Sequence, residues 1–225
     1  MKATTYLIAA SLLAASAANA ATIQWGSEIA PTSGNFGELL NEGLFDTSGT
    51  LVSAENLGGS ETTFDGITFA AGNTTFTTGG TFDGFHQNGQ LLSEHGIYGG
   101  GGAADTVSLD GLIIGKTYRI QALVYDGRGA GDIPGRTVEF DGINQGQYSY
   151  GISGVTWGNG LLVTGVFTAD STTQDFTIEA FAGSNSKGGQ LNALTVFETA
   201  QAIPEPSSAA LLGIGGLALI MRRRK

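Results

Sequence analysis

The chain has 225 residues, with 20 acidic against ten basic side chains, 37 glycines and no cysteine. The missing cysteine excludes disulfides, thiolate metal sites and a cysteine nucleophile. The net charge of −10 argues against a nucleic-acid partner, because an acidic surface repels phosphate and releases no counterions.

Residues 1–20 carry an early Lys2, an apolar stretch from Tyr6 to Ala18, and Ala18-Asn19-Ala20 as a small-x-small site. This reads as a secretory signal peptide cut after Ala20. Residues 21–199, about 180 positions, are enough for one well-buried domain, and residues 200–225 form a separate C-terminal segment. From Ala21 to Ala202, 19 acids face only Lys116, Arg119, Arg128, Arg136 and Lys187, a net charge of −14. The body is therefore more acidic than the whole chain.

Glycine mixed with Thr, Val, Ile and Phe predicts short strands joined by tight turns. Ile23 and Trp25 alternate as in a first strand, and Phe36 to Leu44 could form one or two helical turns. Asp-Gly recurs at Asp65, Asp83, Asp110, Asp126 and Asp141. Between β-formers this dipeptide predicts hairpins, because glycine tolerates the positive φ of a type I′ turn. The spacing is too irregular for calcium loops with a downstream bidentate Glu. Thr74 to Gly102, with His86 and His95, reads as a long surface excursion.

Thr106 to Asp126 is the clearest stretch. Tyr118, Ile120, Ala122 and Val124 share one face of a strand, and Arg119, Gln121, Leu123 and Tyr125 share the other. Such a strand belongs at the centre of a sheet, covered on both sides. Arg136 to Asp141, with Val138 and Phe140 inward, then Leu161 to Thr168, Asp175 to Phe181 and Leu191 to Phe197 supply further strands. About eight to eleven strands of ~5 or 6 residues fit the length. The fold class expected is all-β, a jelly-roll-like antiparallel β-sandwich.

Beyond the body, Pro204-Glu205-Pro206 favours extended backbone. An uninterrupted apolar run from Ala209 to Met221 follows, and then Arg222, Arg223, Arg224 and Lys225. The basic end marks a cytoplasmic stop. Thirteen residues make a helix of about 20 Å, short against the ~20 residues of a comfortable span. The arrangement resembles the PEP-CTERM sorting signal of bacterial exported proteins. That resemblance implies a single short transmembrane sorting helix and an exosortase, a membrane cysteine protease, that recognises the Pro204-Glu205-Pro206 box and removes the tail. The text LDGLIIGKTYRIQALVYDGRG, RTVEFDG, LLVTGVFTADSTTQDFTIEAF and GGQLNALTVFE resembles jelly-roll domains of PEP-CTERM proteins, and more distantly galactose-binding and malectin-like modules. It implies a fold, not a ligand.

Candidate chemistry is sparse. Glu94 beside His95, Glu139 beside Asp141, and Glu179 are conceivable glycosidase carboxylates, but each also fits a turn or a solvated edge. No G-x-S-x-G elbow occurs. Asp126 and Asp132 could give oxygen ligands to a structural calcium, or could instead pair with Arg128 and Arg136. No other cofactor is implied. Tyr98, Tyr148, Tyr150 and Trp157 lie in Gly-rich surroundings and could present aromatic faces to a glycan, or cap the core with their polar tips outward. Tyr148 and Tyr150 share strand parity, so both rings could face one way.

The sequence thus leads to an exported, non-catalytic protein, tethered to the inner membrane as a precursor through its C-terminal helix. It is then sorted to the cell surface or extracellular matrix, where exopolysaccharide or envelope glycan is the expected partner. The alternatives are a secreted carbohydrate-active enzyme on a β-sandwich and a self-associating matrix protein.

Overall fold

A computed structural model describes residues 21–29, 43–72, 74, 76, 79–83, 92, 95–125, 136–148 and 160–200. The strands in chain order are β1 (Gln24–Ile29), β2 (Thr50–Asn56), β3 (Thr62–Phe64), β4 (Ile67–Ala71), β5 (Gly79–Asp83), β6 (His95–Gly99), β7 (Asp105–Leu109) and β8 (Thr117–Val124). They continue with β9 (Arg136–Phe140), β10 (Ile143–Tyr148), β11 (Leu161–Thr168), β12 (Gln174–Ala182), β13 (Asn185–Ser186), β14 (Gln190–Leu191) and β15 (Ala193–Thr199).

The larger sheet has the order β1-β11-β8-β15-β2-β4-β3. Its pairings are antiparallel except for the short parallel β2–β4 contact. The facing sheet runs β10-β9-β12, with β7 and β13 both on the edge of β12 away from β9. A third small sheet, β14-β6-β5, lies at one end. The molecule is an all-β, predominantly antiparallel β-sandwich, as the sequence predicts. More strands are present than the eight to eleven expected, because several are two- or three-residue pieces that irregular backbone separates.

Strand β8 occupies the centre of the large sheet, with all residues from Tyr118 to Val124 buried. Its alternation divides the core in two. Tyr118, Ile120, Ala122 and Val124 join Val138, Phe140, Phe176 and Ile178 between the sheets. On the outer face, Leu123 and Tyr125 join Phe45, Phe69, Leu162 and Phe197 under the segment that precedes β2 and the β3–β4 hairpin. Double coverage explains why a strand carrying Arg119 and Gln121 is still inaccessible.

The Asp-Gly expectation holds at two hairpins. Asp65 and Gly66 take φ values of 52° and 75° between β3 and β4, and Asp141 and Gly142 take 50° and 73° between β9 and β10. Two successive positive φ values are what a type I′ turn demands. Asp110-Gly111 instead opens a longer loop from β7 to β8. The dipeptide at Asp126 lies outside the described residues, as do Gly84 and most of the expected helical turns at Phe36 to Leu44.

The surface-excursion reading of Thr74 to Gly102 needs correction. Strands β5 and β6 pair antiparallel within it, and Phe76, Leu92 and Ile97 are buried. Thr- and Gly-rich text hid them because the hairpin's cross-strand partners are themselves glycines, with Gly80 opposite Tyr98 and Gly96 opposite Phe82. Among the described residues no helix is long and apolar enough to cross a membrane. The apolar run Ala209 to Met221 lies outside them.

Candidate functional site

The first candidate surface is the β5–β6 hairpin. Tyr98 is 44% exposed, and the nearest atoms to a Cβ placed on Gly80 would be the Tyr98 hydroxyl at 3.4 Å and its ring at 3.5 Å. The phenol ring therefore covers the backbone of Gly80 while leaving part of its surface to solvent. Two pairs along, a Cβ on Gly96 would stand 2.3 Å from Phe82 Cζ, so a half-buried ring covers that glycine too. Tyr98 and Phe82 thus lie diagonally on one face of the hairpin, each over a glycine. The sequence reading found Tyr98 and missed Phe82. The signal that could have found it was the repeated aromatic-glycine register.

Tyr148 is the opposite case. It is fully buried in the inter-sheet core, so its ring is no part of an exposed platform. The cause is a β-bulge between Asn144 and Gly146, with Gly146 at φ 111°. A bulge inserts one residue and reverses the alternation beyond it. Tyr150 and Trp157 lie outside the described residues, as do Asp126 and Asp132, Ala18 and Ala20, and the sorting residues Pro204, Glu205, Pro206, Arg222, Arg223 and Arg224. Among the described residues no group of three or more His, Asp or Glu side chains could hold a metal ion.

A second candidate is a groove of about 450 Å³ on the outer face of the large sheet, over β1, β11 and β8. Leu162, Thr164 and Val166 form much of its floor, with Gln24 and Gly26 on one side and Leu44, Asp46, Arg119 and Gln121 on the other. Asp46, Arg119 and Gln121 in its wall are engaged with one another and with their neighbours. Arg119 Nη1 lies 2.7 Å from Asp46 Oδ2 and donates to Ser48 Oγ at 3.1 Å. Arg119 Nη2 donates to the Asp46 and Ser48 carbonyls, both at 2.6 Å. The guanidinium carbon stands 5.4 Å from the Phe197 ring centroid. Gln121 accepts from the Asp46 amide at 2.7 Å and donates to the Asp46 carbonyl at 3.0 Å and to Thr195 Oγ1 at 3.2 Å.

These contacts clamp the 46–48 segment onto the sheet. The Ser48 hydroxyl and amide, together with the Arg119 charge, hold the Asp46 carboxyl below its ordinary value of 3.8. Asp46 is consequently an ionised clamp partner at neutral pH. A carboxylate poised as a general acid would instead be pushed upward.

A third concavity, about 440 Å³, lies between the β2 and β7 edges and is lined by Ser53, Glu55, Thr106, Ser108 and Asp110 among others. Glu55 Oε2 accepts from Thr74 Oγ1 at 3.0 Å and from its amide at 3.3 Å.

Trp25 is half-buried against the inter-sheet core. It packs 4.8 Å from Phe140 and 5.2 Å from Phe176, and its Nε1 donates to Asp141 Oδ2 at 2.8 Å. The other oxygen of Asp141 accepts from the Thr177 amide at 2.8 Å. The Asp141 turn therefore closes one side of the sandwich, and its carboxylate serves structure.

The family model described as the PEP-CTERM protein-sorting motif matches residues 202–225. Residues 202–225 are a PEP-CTERM sorting motif. The chain is an exported protein sorted by an exosortase, and Pro204, Glu205 and Pro206 with the closing arginines fall inside the matched segment. None of the curated proteins matches the chain.

Among solved structures the body is similar to the ANX2 ectodomain from Arabidopsis thaliana, at 11% identity and a TM-score of 0.45 over 71% of this chain and 55% of that one. It is also similar to the ANXUR2 extracellular domain from the same plant, at 11% identity and 0.44, covering 68% and 49%. The plant receptor-like kinase FER gives 10% identity and 0.40, covering 68% and 50%. The match thus spans about half the length of these chains.

Proposed function

We infer that the sandwich is a non-catalytic module that the sorting motif delivers to the cell surface or extracellular matrix, where it associates with exopolysaccharide or envelope glycan. The observation that carries the glycan reading is Tyr98, a partly exposed ring braced on Gly80 beside Phe82. An aromatic face held rigidly on a strand suits the C–H face of a sugar, because little side-chain freedom is lost on stacking. What supports the non-catalytic reading is the engagement of Arg119, Gln121 and Asp46 at the groove over β1, β11 and β8. Arg119 and Gln121 fasten the 46–48 segment, and Asp46 is held ionised by its neighbours.

The test is binding of the full chain to a glycan array and to the host's own polysaccharide, with reducing ends assayed alongside. The expected result is binding without release of reducing ends, weakened about tenfold by Tyr98→Ala, equivalent to ~1.4 kcal/mol. An empty array with concentration-dependent assembly would favour the self-associating matrix protein. Reducing-end release abolished by changing one acid would favour the enzyme.

A further inference from the structure

We propose that, in the unprocessed chain, the end of the sandwich from which the sorting tail leaves rests on the lipid bilayer through Ile113 and Ile114. Their relative exposures, 56% and 63%, are the highest of any large hydrophobic among the described residues. They occupy the turn between β7 and β8, and that turn is built firmly. The Leu112 amide donates to the Thr172 carbonyl at 3.1 Å and the Ile113 amide to Tyr118 Oη at 2.8 Å. The Gly115 amide donates to the Ala169 carbonyl at 2.7 Å, and Leu112 itself is buried. A turn fixed by these bonds holds two adjacent β-branched side chains in water without collapsing over them. Such persistent apolar exposure marks a contact surface.

Position supplies the occupant. Thr117, the first residue of β8, pairs with Thr199, the last of β15, and Lys116 Nζ lies 2.8 Å from Glu198 Oε1. The isoleucine turn therefore flanks the point where the chain leaves the sandwich toward residues 202–225. From Thr199 to the start of the apolar run at Ala209 is ten residue steps, a reach of at most about 35 Å at ~3.5 Å per step. A membrane-embedded tail keeps this end of the body close to the lipid. Of the seven exposed large hydrophobics described, three more, Leu51, Val52 and Val166, lie in the strands near this end. Leu51 is opposite Phe197 and Val166 opposite Arg119, each within two positions of the strand ends at Thr199 and Thr168.

A projecting pair of aliphatic side chains suits a deformable apolar medium, which needs no matching groove. The body's net charge of −14 favours a zwitterionic over an anionic lipid surface. The contact differs from the glycan platform, and it ends when the tail is cut. It rests on the sorting reading, because without an embedded tail nothing holds this end to the membrane.

Because the chain has no cysteine, Ile114→Cys gives one attachment point for an environment-sensitive fluorophore. Asn185→Cys serves as control. It is exposed at the start of β13, just after the turn at Gly183 and Ser184, at the other end of β12 from the Thr172 contact. Full chains carrying either label are reconstituted into phosphatidylcholine vesicles, floated, and titrated with iodide.

The expected outcome is co-flotation of both, a blue shift and loss of most iodide quenching at 114, and full quenching at 185. Ile113→Ser in the 114-labelled chain should restore much of the quenching, and a label at Ile113→Cys should be protected like that at 114. Co-flotation with equal quenching at both labels overturns the proposal and leaves the sorting reading intact. Failure to float overturns both. Protection at 114 that arises only when exosortase is also in the vesicle makes the surface a protease contact and overturns the lipid reading.

Discussion

Arg119 illustrates how a charged residue can sit in the middle of a buried strand. Its side chain is about 90% inaccessible, yet its two terminal nitrogens meet a carboxylate, a hydroxyl and two carbonyls of the 46–48 segment. Removing the guanidinium would leave the Ser48 carbonyl without this donor, leave Gln121 as the donor to the Asp46 carbonyl, and loosen the segment. Arg119→Ala should therefore cost roughly 2–3 kcal/mol, read as a lower urea midpoint. Asp46→Asn should cost less, because more than half of the Asp46 side chain is exposed and water screens the pair. Its effect has a pH signature. The folded carboxyl titrates below 3.8, so its stabilisation is fully present above that value and is lost as pH falls through the lower folded value. The urea midpoints of the wild type and Asp46→Asn should converge once the pH has fallen below the lowered folded value. A gap that stays constant across the acid range would show that the hydrogen bonds, not the charge, set the clamp.

At the scale of elements, the first strand docks through a glycine. Trp25 pairs with Gly165 across β1 and β11, and a Cβ on Gly165 would lie 2.6 Å from the Trp25 ring and 2.7 Å from Ile23. Gly165→Ala must push the indole away from Phe140 and Phe176. Overpacking of this kind costs about 1–3 kcal/mol, and Trp25 should lose its bond to Asp141. Denaturant unfolding checks the first effect and the near-ultraviolet aromatic signal the second. An unchanged midpoint would mean that β1 adapts freely.

These elements also show what was legible from residues alone. The two faces of β8, the inward Val138 and Phe140, and the Asp65 and Asp141 turns were readable because period-two alternation and positive-φ dipeptides are local signals. Tyr148 was left open between an exposed face and the core, because no local pattern announces that the strand bulges at Gly146 and reverses its parity. The Arg119 clamp spans more than 70 positions, and no local pattern ties Arg119 to Asp46. Trp25 looked like half of an alternating strand, but its partners lie more than a hundred residues away in the opposite sheet.

For the whole molecule, processing changes electrostatics as well as address. Removal of residues 1–20 and of the tail, as the sequence reading expects, would take away five of ten basic side chains and only one acid, leaving a body of −14 where the full chain carries −10. The mature protein recovered from its host should have a mass that starts near Ala21 and stops near the Pro204-Glu205-Pro206 box. Retention of Arg222 to Lys225 would indicate a permanent anchor instead.

The same charge gives the proposed glycan contact a signature that separates acidic from neutral polymers. The Debye length shrinks from ~30 Å at 0.01 M salt to ~8 Å at 0.15 M. An acidic polysaccharide is therefore repelled by the whole body at low salt and approached only when that field is screened, so its affinity should rise with added salt. A neutral polysaccharide stacked on Tyr98 feels no such field, and its affinity should stay level over the same range. Titrating both polymers at the two salt concentrations separates these cases. Affinity for the acidic polymer that falls with salt would require a basic patch, and the five bases of the body cannot easily supply one when Arg119 and Lys116 are already paired with acids. That outcome would shift the binding surface away from Tyr98.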